Sequence, residues 1–368
     1  MTRDEIQQLS LDTVKTRNRS GLGLATGVGK TRVGLRDLSE NCPHLTRALV
    51  VAPKKSIHQE WKDEAVKMNK QEILENLSFT TYLSLNKIHP EDYDVIYLDE
   101  CHSLLYTHRK FLDKFQGRIL GLTGTPPRFR NSEKGEMVAE YCPIVYEYFT
   151  DDAVEDKILN DYKIIVHELE LNHRNDIEVN GKTGTFYTSE VKNYAYWCNR
   201  LDNASTPKSI QIARIMRMKA LMDFSSKERY TKRLADSIKS KCVIFANTQE
   251  QADKLCTHSY HSNNADSENN LIMFKAGSIS KLSCVLQLSE GVNIPDLKQG
   301  IIMHAYGNER KSSQRIGRML RLNPDDVATI HILCYVDTVD KGWIKEALKG
   351  FDDSKIIWKN FNINVNED

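Results

Sequence analysis

Residues 22–38 read Leu22-Gly23-Leu24-Ala25-Thr26-Gly27-Val28-Gly29-Lys30-Thr31-Arg32-Val33-Gly34-Leu35-Arg36-Asp37-Leu38. A short apolar run enters a glycine-containing turn, the turn ends in Lys-Thr, and a stretch able to form a helix follows. That order suits a phosphate, because glycines let backbone N–H groups close on phosphate oxygens and the start of the next helix adds its dipole. In this reading Thr26, Gly27 and Gly29 line the turn, Lys30 reaches the β- and γ-phosphates, and the Thr31 hydroxyl ligates Mg2+. The strict form of the motif would place glycine at Leu24, so the match is incomplete and a purely structural glycine turn is the competing reading.

Val95-Ile96-Tyr97-Leu98-Asp99-Glu100-Cys101-His102 is a second apolar run, and it ends in adjacent carboxylates 69 residues after Lys30. At the end of a strand Asp99 is suited to hold a metal through water, while Glu100, on the other face, is suited to polarise an attacking water. Taken alone, the stretch also reads as an exposed acidic strand end. Paired with Lys30 and Thr31, it points to hydrolysis of a nucleoside triphosphate.

The same grammar extends along the chain. Leu22–Ala25, Ala48–Ala52, Leu77–Tyr82, Val95–Asp99 and Ile119–Thr123 are short β-rich runs separated by polar or helical stretches, the pattern of a parallel sheet with crossover helices. Beyond Pro143 the pattern loosens, and Leu171–Asp202 carries a hairpin-like Asn180-Gly181 but no strong apolar period. Runs return at Cys242–Ala246, Leu271–Phe274, Val285–Leu288, Gly300–Met303 and Thr329–Val336. The expected division is a first α/β domain over 1–150, a linker or insertion over 151–204, a second α/β domain over 205–340 and a tail or helix over 341–368.

Composition narrows the classes. A chain of 368 residues with 40% hydrophobic and 27% charged residues exceeds one ordinary compact core. No run approaches the roughly 18 consecutive apolar residues of a membrane span, and the first residues lack a signal-peptide core. Eight cysteines stand at least fourteen residues apart, so no Cys-x-x-Cys half-site for structural zinc exists and a reducing cytoplasm is expected. His258 and His261 lack a matching set of metal ligands. A net charge of +1 excludes a blanket cationic surface, so nucleic-acid binding must be local.

Gln314-Arg315-Ile316-Gly317-Arg318-Met319-Leu320-Arg321 resembles motif VI of the superfamily 2 helicases. Other stretches take their places in the family's order: Thr26–Thr31 as motif I, Val51-Ala52-Pro53 as Ia, Thr80-Thr81-Tyr82 near Ib, and Asp99–His102 as a DExH motif II. Thr123-Gly124-Thr125-Pro126 is similar to motif III, Val243–Ala246 to motif IV, and Glu290-Gly291-Val292-Asn293-Ile294-Pro295 to motif V. By pattern the chain is similar to compact DExH translocases of the XPB-like and phage UvsW type, and its lack of appended modules suggests a phage or mobile-element origin. The resemblance implies an α/β protein of two tandem RecA-like domains, each a mostly parallel sheet flanked by helices, with ATP and Mg2+ bound between them.

The resemblance also assigns roles. Glu100 is the catalytic carboxylate, Arg315 and Arg318 are arginine fingers, Gln314 contacts nucleotide or its water, and Gly291 belongs to the nucleotide site. Gln7, 23 residues before Lys30, stands where the family often reads adenine, with Gln8 adjacent. Pro53, Lys54, Lys55, Thr81, Asn247 and Thr248 are implied along the phosphate track of a nucleic acid, DNA in preference to RNA. A solvated loop is the other reading of Lys54 and Lys55. Tyr194, Tyr196 and Trp197 are able to stack on bases but read first as packing. The expected activity is ATP-dependent translocation or strand separation on branched DNA, 3′ to 5′, in the cytoplasm, with an RNA helicase or a clamp with little turnover as alternatives.

Overall fold

The computed structural model describes residues 1–42, 47–127, 129–181, 184–285, 294–304 and 326–361. The chain forms two compact units that part near Asp161 and Tyr162. In the first unit the order is α1 (Arg3–Val14), β1 (Arg19–Leu24), α2 (Lys30–Arg36), β2 (Ala48–Ala52), α3 (Lys55–Lys67), β3 (Leu77–Thr81), β4 (Val95–Asp99), the one-turn α4 (Arg109–Leu112), β5 (Arg118–Thr123), α5 (Glu133–Tyr141), β6 (Ile144–Tyr148) and α6 (Thr150–Glu155). The sheet runs β3-β2-β4-β5-β1-β6 with every pair parallel. Its middle strands β2 and β4 are buried from end to end, which is why their sequences are continuous apolar runs rather than alternating ones. Parallel strands bring all their C-terminal ends to one edge, and a ligand of such a sheet binds there.

Helix α1 opens with a reciprocal capping box between Thr2 and Glu5, and buries Ile6, Gln7, Ser10, Leu11 and Val14 along one face. Helices α2 and α3 pack closely because Gly34 has no side chain: a Cβ there would stand 2.3 Å from Cη2 of the fully buried Trp61. Beneath the sheet, Asp37 is buried and accepts from the Tyr97 hydroxyl at 3.0 Å, the Asn41 amide at 2.8 Å and the Arg118 guanidinium at 2.8 Å. A buried carboxylate survives only with such company.

The second unit contains β7 (Asp161–Leu169), β8 (Ile177–Gly181), β9 (Gly184–Thr188), α7 (Glu190–Asp202), α8 (Pro207–Asp223), α9 (Ser225–Ser237), β10 (Cys242–Phe245), α10 (Gln249–Leu255), β11 (Ser259–Tyr260), α11 (Ser267–Ala276), β12 (Lys281–Cys284), β13 (Gln299–Ile302), β14 (Val327–Tyr335), a helix over Val339–Leu348 and β15 (Ile356–Phe361). Its seven-stranded sheet runs β11-β12-β10-β13-β14-β7-β15, while β8 and β9 form a separate antiparallel pair. Both units are therefore of the α/β class expected.

Four expectations change. Residues 151–204 are not a connecting insertion throughout, because β7 is a member of the second sheet; its Ile-Ile-Val core is interrupted by His167 and Glu168, which hides the strand. Residues 341–368 are not simply a tail, because β15 pairs with β7 from Ile356↔Ile164 to Phe361↔Leu169. Leu271–Phe274 lies in helix α11, where Leu271 and Phe274, three residues apart, are buried and Ile272 faces water; four contiguous apolar residues do not reveal their period. The neighbouring strand is β12, just before the expected Val285–Leu288, of which 286–288 lie outside the described residues. The hairpin expected at Asn180-Gly181 is present as the β8–β9 pair, with Asn180 opposite Thr185 and Gly181 opposite Gly184.

Two buried histidines link β7 and β14. His167 Nε2 and His331 Nδ1 are 2.9 Å apart, His167 Nδ1 meets the Tyr230 hydroxyl at 2.8 Å, and His331 Nε2 meets Gln299 Oε1 at 3.1 Å. Burial holds His167 down to about 3, with His331 and Lys359 adding to it, and holds His331 down to about 4, with Lys359 adding. Both imidazoles are neutral in the fold and regain an ordinary value of about 6.5 on unfolding. Their contribution to stability is full above pH 6.5 and declines as pH falls toward 4 and then 3, by up to about 1.4 kcal/mol per pH unit for each ring. Calorimetry of the chain from pH 7.5 to 4.5 should show this loss, and His331→Gln should flatten it. An unchanged profile in that variant would remove the pair as its source.

Candidate functional site

The turn quoted at the outset sits at the C-terminal edge of the first sheet. Gly27 and Gly29 both have left-handed backbone, φ 99° and 105°, and Gly29 is the N-cap of α2, so Lys30 and Thr31 are its first residues. No L-residue adopts that conformation cheaply. A Cβ on Gly29 would also stand 2.6 Å from Gln7 Nε2 and would push the Gln7 amide from its place. Gln7 is buried, donates through Nε2 to the Val28 carbonyl at 3.0 Å, and leaves Oε1 without a hydrogen-bond partner. Gln8 instead binds the Arg36 guanidinium at 2.7 Å on the surface. Beside them lies a cavity of about 650 Å³ lined by Gln7, Gln8, Arg32, Arg36 and Lys70 among others.

Two strands away, β4 ends at Asp99. Glu100 follows with φ 51° and ψ 52°, a conformation rare for a side chain of this kind. Its Oε1 lies 3.5 Å from Lys30 Nζ, joining the two motifs. Its Oε2 is 3.3 Å from His102 Nδ1, but that nitrogen is engaged with the Thr123 hydroxyl at 2.7 Å, and Oε2 is buried without a hydrogen bond. Thr123 in turn accepts from the Thr125 N–H at 3.1 Å. Gly124 between them closes on the same point: a Cβ would stand 3.0 Å from both Lys30 Nζ and Thr26 Oγ1.

Asp99 is held from three sides. Its Oδ2 accepts from Trp61 Nε1 at 2.7 Å, its Oδ1 accepts from the Glu100 N–H at 2.9 Å, and its carbonyl accepts from the Tyr82 hydroxyl at 3.0 Å. Burial, reinforced by the neighbouring Glu100 charge, raises its pKa to about 7. Burial also acts against ionised Glu100, but Lys30 and then His102 outweigh it, and its pKa is lowered. One of two adjacent carboxylates is thus ionised at neutral pH and the other is poised, and a divalent cation beside Asp99 would favour its ionised form as well. The donors on offer, a hydroxyl from Thr31 and carboxylate oxygen from Asp99, are hard oxygens of the kind Mg2+ prefers. Among the described residues no three His, Cys, Asp or Glu cluster as a metal site. An ion completed by water and phosphates needs no such cluster.

Trp61 is the residue that sequence reasoning missed: a tryptophan on an amphipathic helix reads as core, and its indole N–H does not show in an apolar pattern. Trp61→Phe should keep an aromatic ring on α3 and lose the donor, leaving a cavity where the indole met Gly34. Losing such an orienting partner costs about 10- to 100-fold in metal affinity or activity. The expected result is a higher Mg2+ concentration for half-maximal ATP hydrolysis beside a melting temperature lowered by the cavity; an unchanged Mg2+ titration would reduce Trp61 to packing.

Pro53, Lys54 and Lys55 follow β2, and Thr81 ends β3 as the register partner of Ala52, so these four share the same sheet edge, on its β3-β2 side. Lys54 and Lys55 are exposed. In the second unit Asn247 and Thr248 follow β10; the Thr248 hydroxyl is engaged as the N-cap of α10, accepting from Gln251 N–H at 3.2 Å. Gly291, Gln314, Arg315 and Arg318 lie outside the described residues.

Residues 2–128 match the family model described as the type III restriction enzyme res subunit, and residues 226–323 match the helicase conserved C-terminal domain. A curated relative, the DNA 3'-5' translocase XPB2 of Sulfurisphaera tokodaii, is 24% identical over 363 residues, covering 89% of this chain and 81% of its own. Among solved structures, the ATP-dependent type ISP restriction-modification enzyme LlaBIII bound to DNA aligns with TM-score 0.64 at 14% identity over all of this chain, which spans only 31% of that enzyme. Dbp5 of S. cerevisiae, bound to RNA and ADP BeF3, aligns with TM-score 0.60 at 12% identity over 98% of this chain and 90% of its own. The Hef helicase domain of Pyrococcus furiosus aligns with TM-score 0.51 at 16% identity, covering 94% and 99%. The two sheets are thus RecA-like domains in tandem along the chain.

Proposed function

We propose, for a chain that is a superfamily 2 helicase by its motifs, its two matched modules and its fold, that it couples ATP hydrolysis to movement on DNA. The observation that carries this reading is the meeting of Lys30 with Glu100 at 3.5 Å beside a buried carboxylate oxygen that accepts no hydrogen bond. Lys30 neutralises the transferred phosphate. Thr26, Gly27 and Gly29 offer backbone N–H groups to it, and Thr31 with Asp99 holds Mg2+, which when bound offsets charge on the phosphates. Glu100 Oε2 accepts a proton from the attacking water, and Lys30 with His102 keeps that carboxylate ionised beforehand. Gln7 Oε1, which has no hydrogen-bond partner, is suited to accept from the 6-amino group of adenine, where guanine carries a carbonyl oxygen instead. Arg315, Arg318, Gln314 and Gly291 keep the roles implied by the family resemblance.

DNA as the track, 3′ to 5′ polarity and the DExH subtype are proposals supported by the name of the curated relative and by Asp99–His102. Pro53, Lys54, Lys55, Thr81, Asn247 and Thr248 are the proposed contacts along the phosphates, which give affinity without sequence preference. The test is ATP hydrolysis on matched single-stranded, duplex, forked and four-way DNA and RNA, with strand displacement on forks of both polarities. DNA should stimulate turnover, branched DNA most, and stimulation should fall steeply with salt. Stimulation by RNA alone would overturn the choice of DNA, and turnover indifferent to every nucleic acid would overturn the motor.

A further inference from the structure

Tyr194, Tyr196 and Trp197 stand on α7, and the function proposed above uses none of them. Tyr194 is committed to the fold, its hydroxyl accepting from the Val339 N–H at 2.9 Å. Tyr196 is not: it is 54% exposed, with its ring edge-on to Trp197 at 5.0 Å and 76°. Lys192, Tyr196, Asn199 and Arg200 are all exposed and fall on one face of α7. On α8 the exposed Lys208, Ile212, Ile215 and Lys219 share a face in the same way, with the two isoleucines 50% and 40% exposed although Ala213, Leu221 and Met222 bury the other side. Each helix therefore presents an apolar centre flanked by cations. Two half-exposed isoleucines one turn apart and a standing aromatic ring on the neighbouring helix form an apolar patch rimmed by cations.

Charge points to the occupant. Residues 190–223 hold six Lys and Arg against three Asp and Glu, a surplus of three in a chain whose total is +1. One of those three, Glu190, is buried and faces inward: it accepts from the Ser226 N–H at 3.0 Å, the Ser226 hydroxyl at 2.6 Å and the Asn172 N–H at 2.9 Å. With Tyr194 this anchors α7 to α9, to the chain after β7 and to the helix over Val339–Leu348, so its outer face is held in place. A rigid cationic face with a standing aromatic ring suits a polyanion whose bases are exposed.

We propose that the α7–α8 hairpin is a nucleic-acid contact surface outside the motor's sheet edges, with Lys192, Arg200, Lys208 and Lys219 on phosphates and Tyr196 stacked on a base of an unpaired strand. The proposal rests on the motor reading above. The test uses the full chain without nucleotide, a fluorescent single-stranded DNA and a duplex of equal length, titrated at several salt concentrations. Tyr196→Ala should weaken single-strand binding about tenfold with little change for the duplex. Lys192→Gln with Arg200→Gln, and Lys208→Gln with Lys219→Gln, should each flatten the salt slope for the single strand by about 1.4. Unstimulated ATP hydrolysis and melting temperature should match wild type, showing intact folding. Unchanged affinity and slope in all three variants, while DNA still stimulates the wild-type ATPase, would overturn this surface and leave the motor standing. Self-association in sedimentation that Ile212→Ser abolishes without touching DNA binding would also overturn it, assigning the face to a second copy. A wild type that no nucleic acid stimulates would instead bring down the motor reading first.

Discussion

Glu100→Gln should bind ATP about as well as wild type and hydrolyse it about 10²- to 10⁴-fold more slowly, the range attributable to a positioned general base. The substitution keeps the shape of a side chain that is packed against Lys30, His102 and Gly124, and it removes only the negative charge. Lys30 remains for the phosphate, so affinity survives. What is lost is the acceptor for the water's proton, and no other carboxylate replaces it, because both oxygens of Asp99 already accept from Trp61 and the Glu100 N–H. Equilibrium binding of a fluorescent ATP analogue and single-turnover hydrolysis separate the two effects. Turnover near that of wild type would remove Glu100 from the chemistry.

Lys227→Met should destabilise the second domain by about 3–5 kcal/mol, enough to consume much of the stability of an ordinary domain. Lys227 is fully buried on α9, and its ammonium pairs with the equally buried Asp340 and lies 4.5 Å from the centre of the Tyr335 ring. Without the lysine, Asp340 keeps the Tyr335 N–H at 3.1 Å but loses its only cation among the described residues. The comparison is Arg229→Met, two residues on, whose exposed guanidinium meets Asp176 at 3.9 Å and should contribute less than about 0.5 kcal/mol. Urea titration of both variants checks the contrast. Equal, small shifts would mean that burial does not govern the Lys227 pair.

Which features were legible follows from what a linear pattern encodes. Strands β2 and β4 are apolar throughout because both faces of a parallel sheet are covered, and such runs declare themselves. The turn before Lys30 is legible because its glycines are required by backbone angle. Strand β7 was hidden by His167, whose partners His331 and Tyr230 lie 164 and 63 residues away. The grip of Trp61 on Asp99 spans 38 residues and depends on one ring nitrogen. Gln7 and Gln8 are equivalent in sequence, and only the helix face they occupy sets one against the turn and the other against Arg36.

The pairing of β7 with β15 bears on how the chain is made. Its partners, Ile164 and Ile356 at one end, bracket nearly all of the second domain. A ribosome delivers β7 early, and that strand waits with both edges unpaired until β14 is made, and with one still open until β15 follows. Joining ends so far apart in sequence is entropically slow, although the cost grows only logarithmically with length. During that interval a long apolar strand is open to intermolecular pairing. The first domain, complete by about residue 161, is able to fold as it emerges, whereas the second finishes only when residue 361 is released.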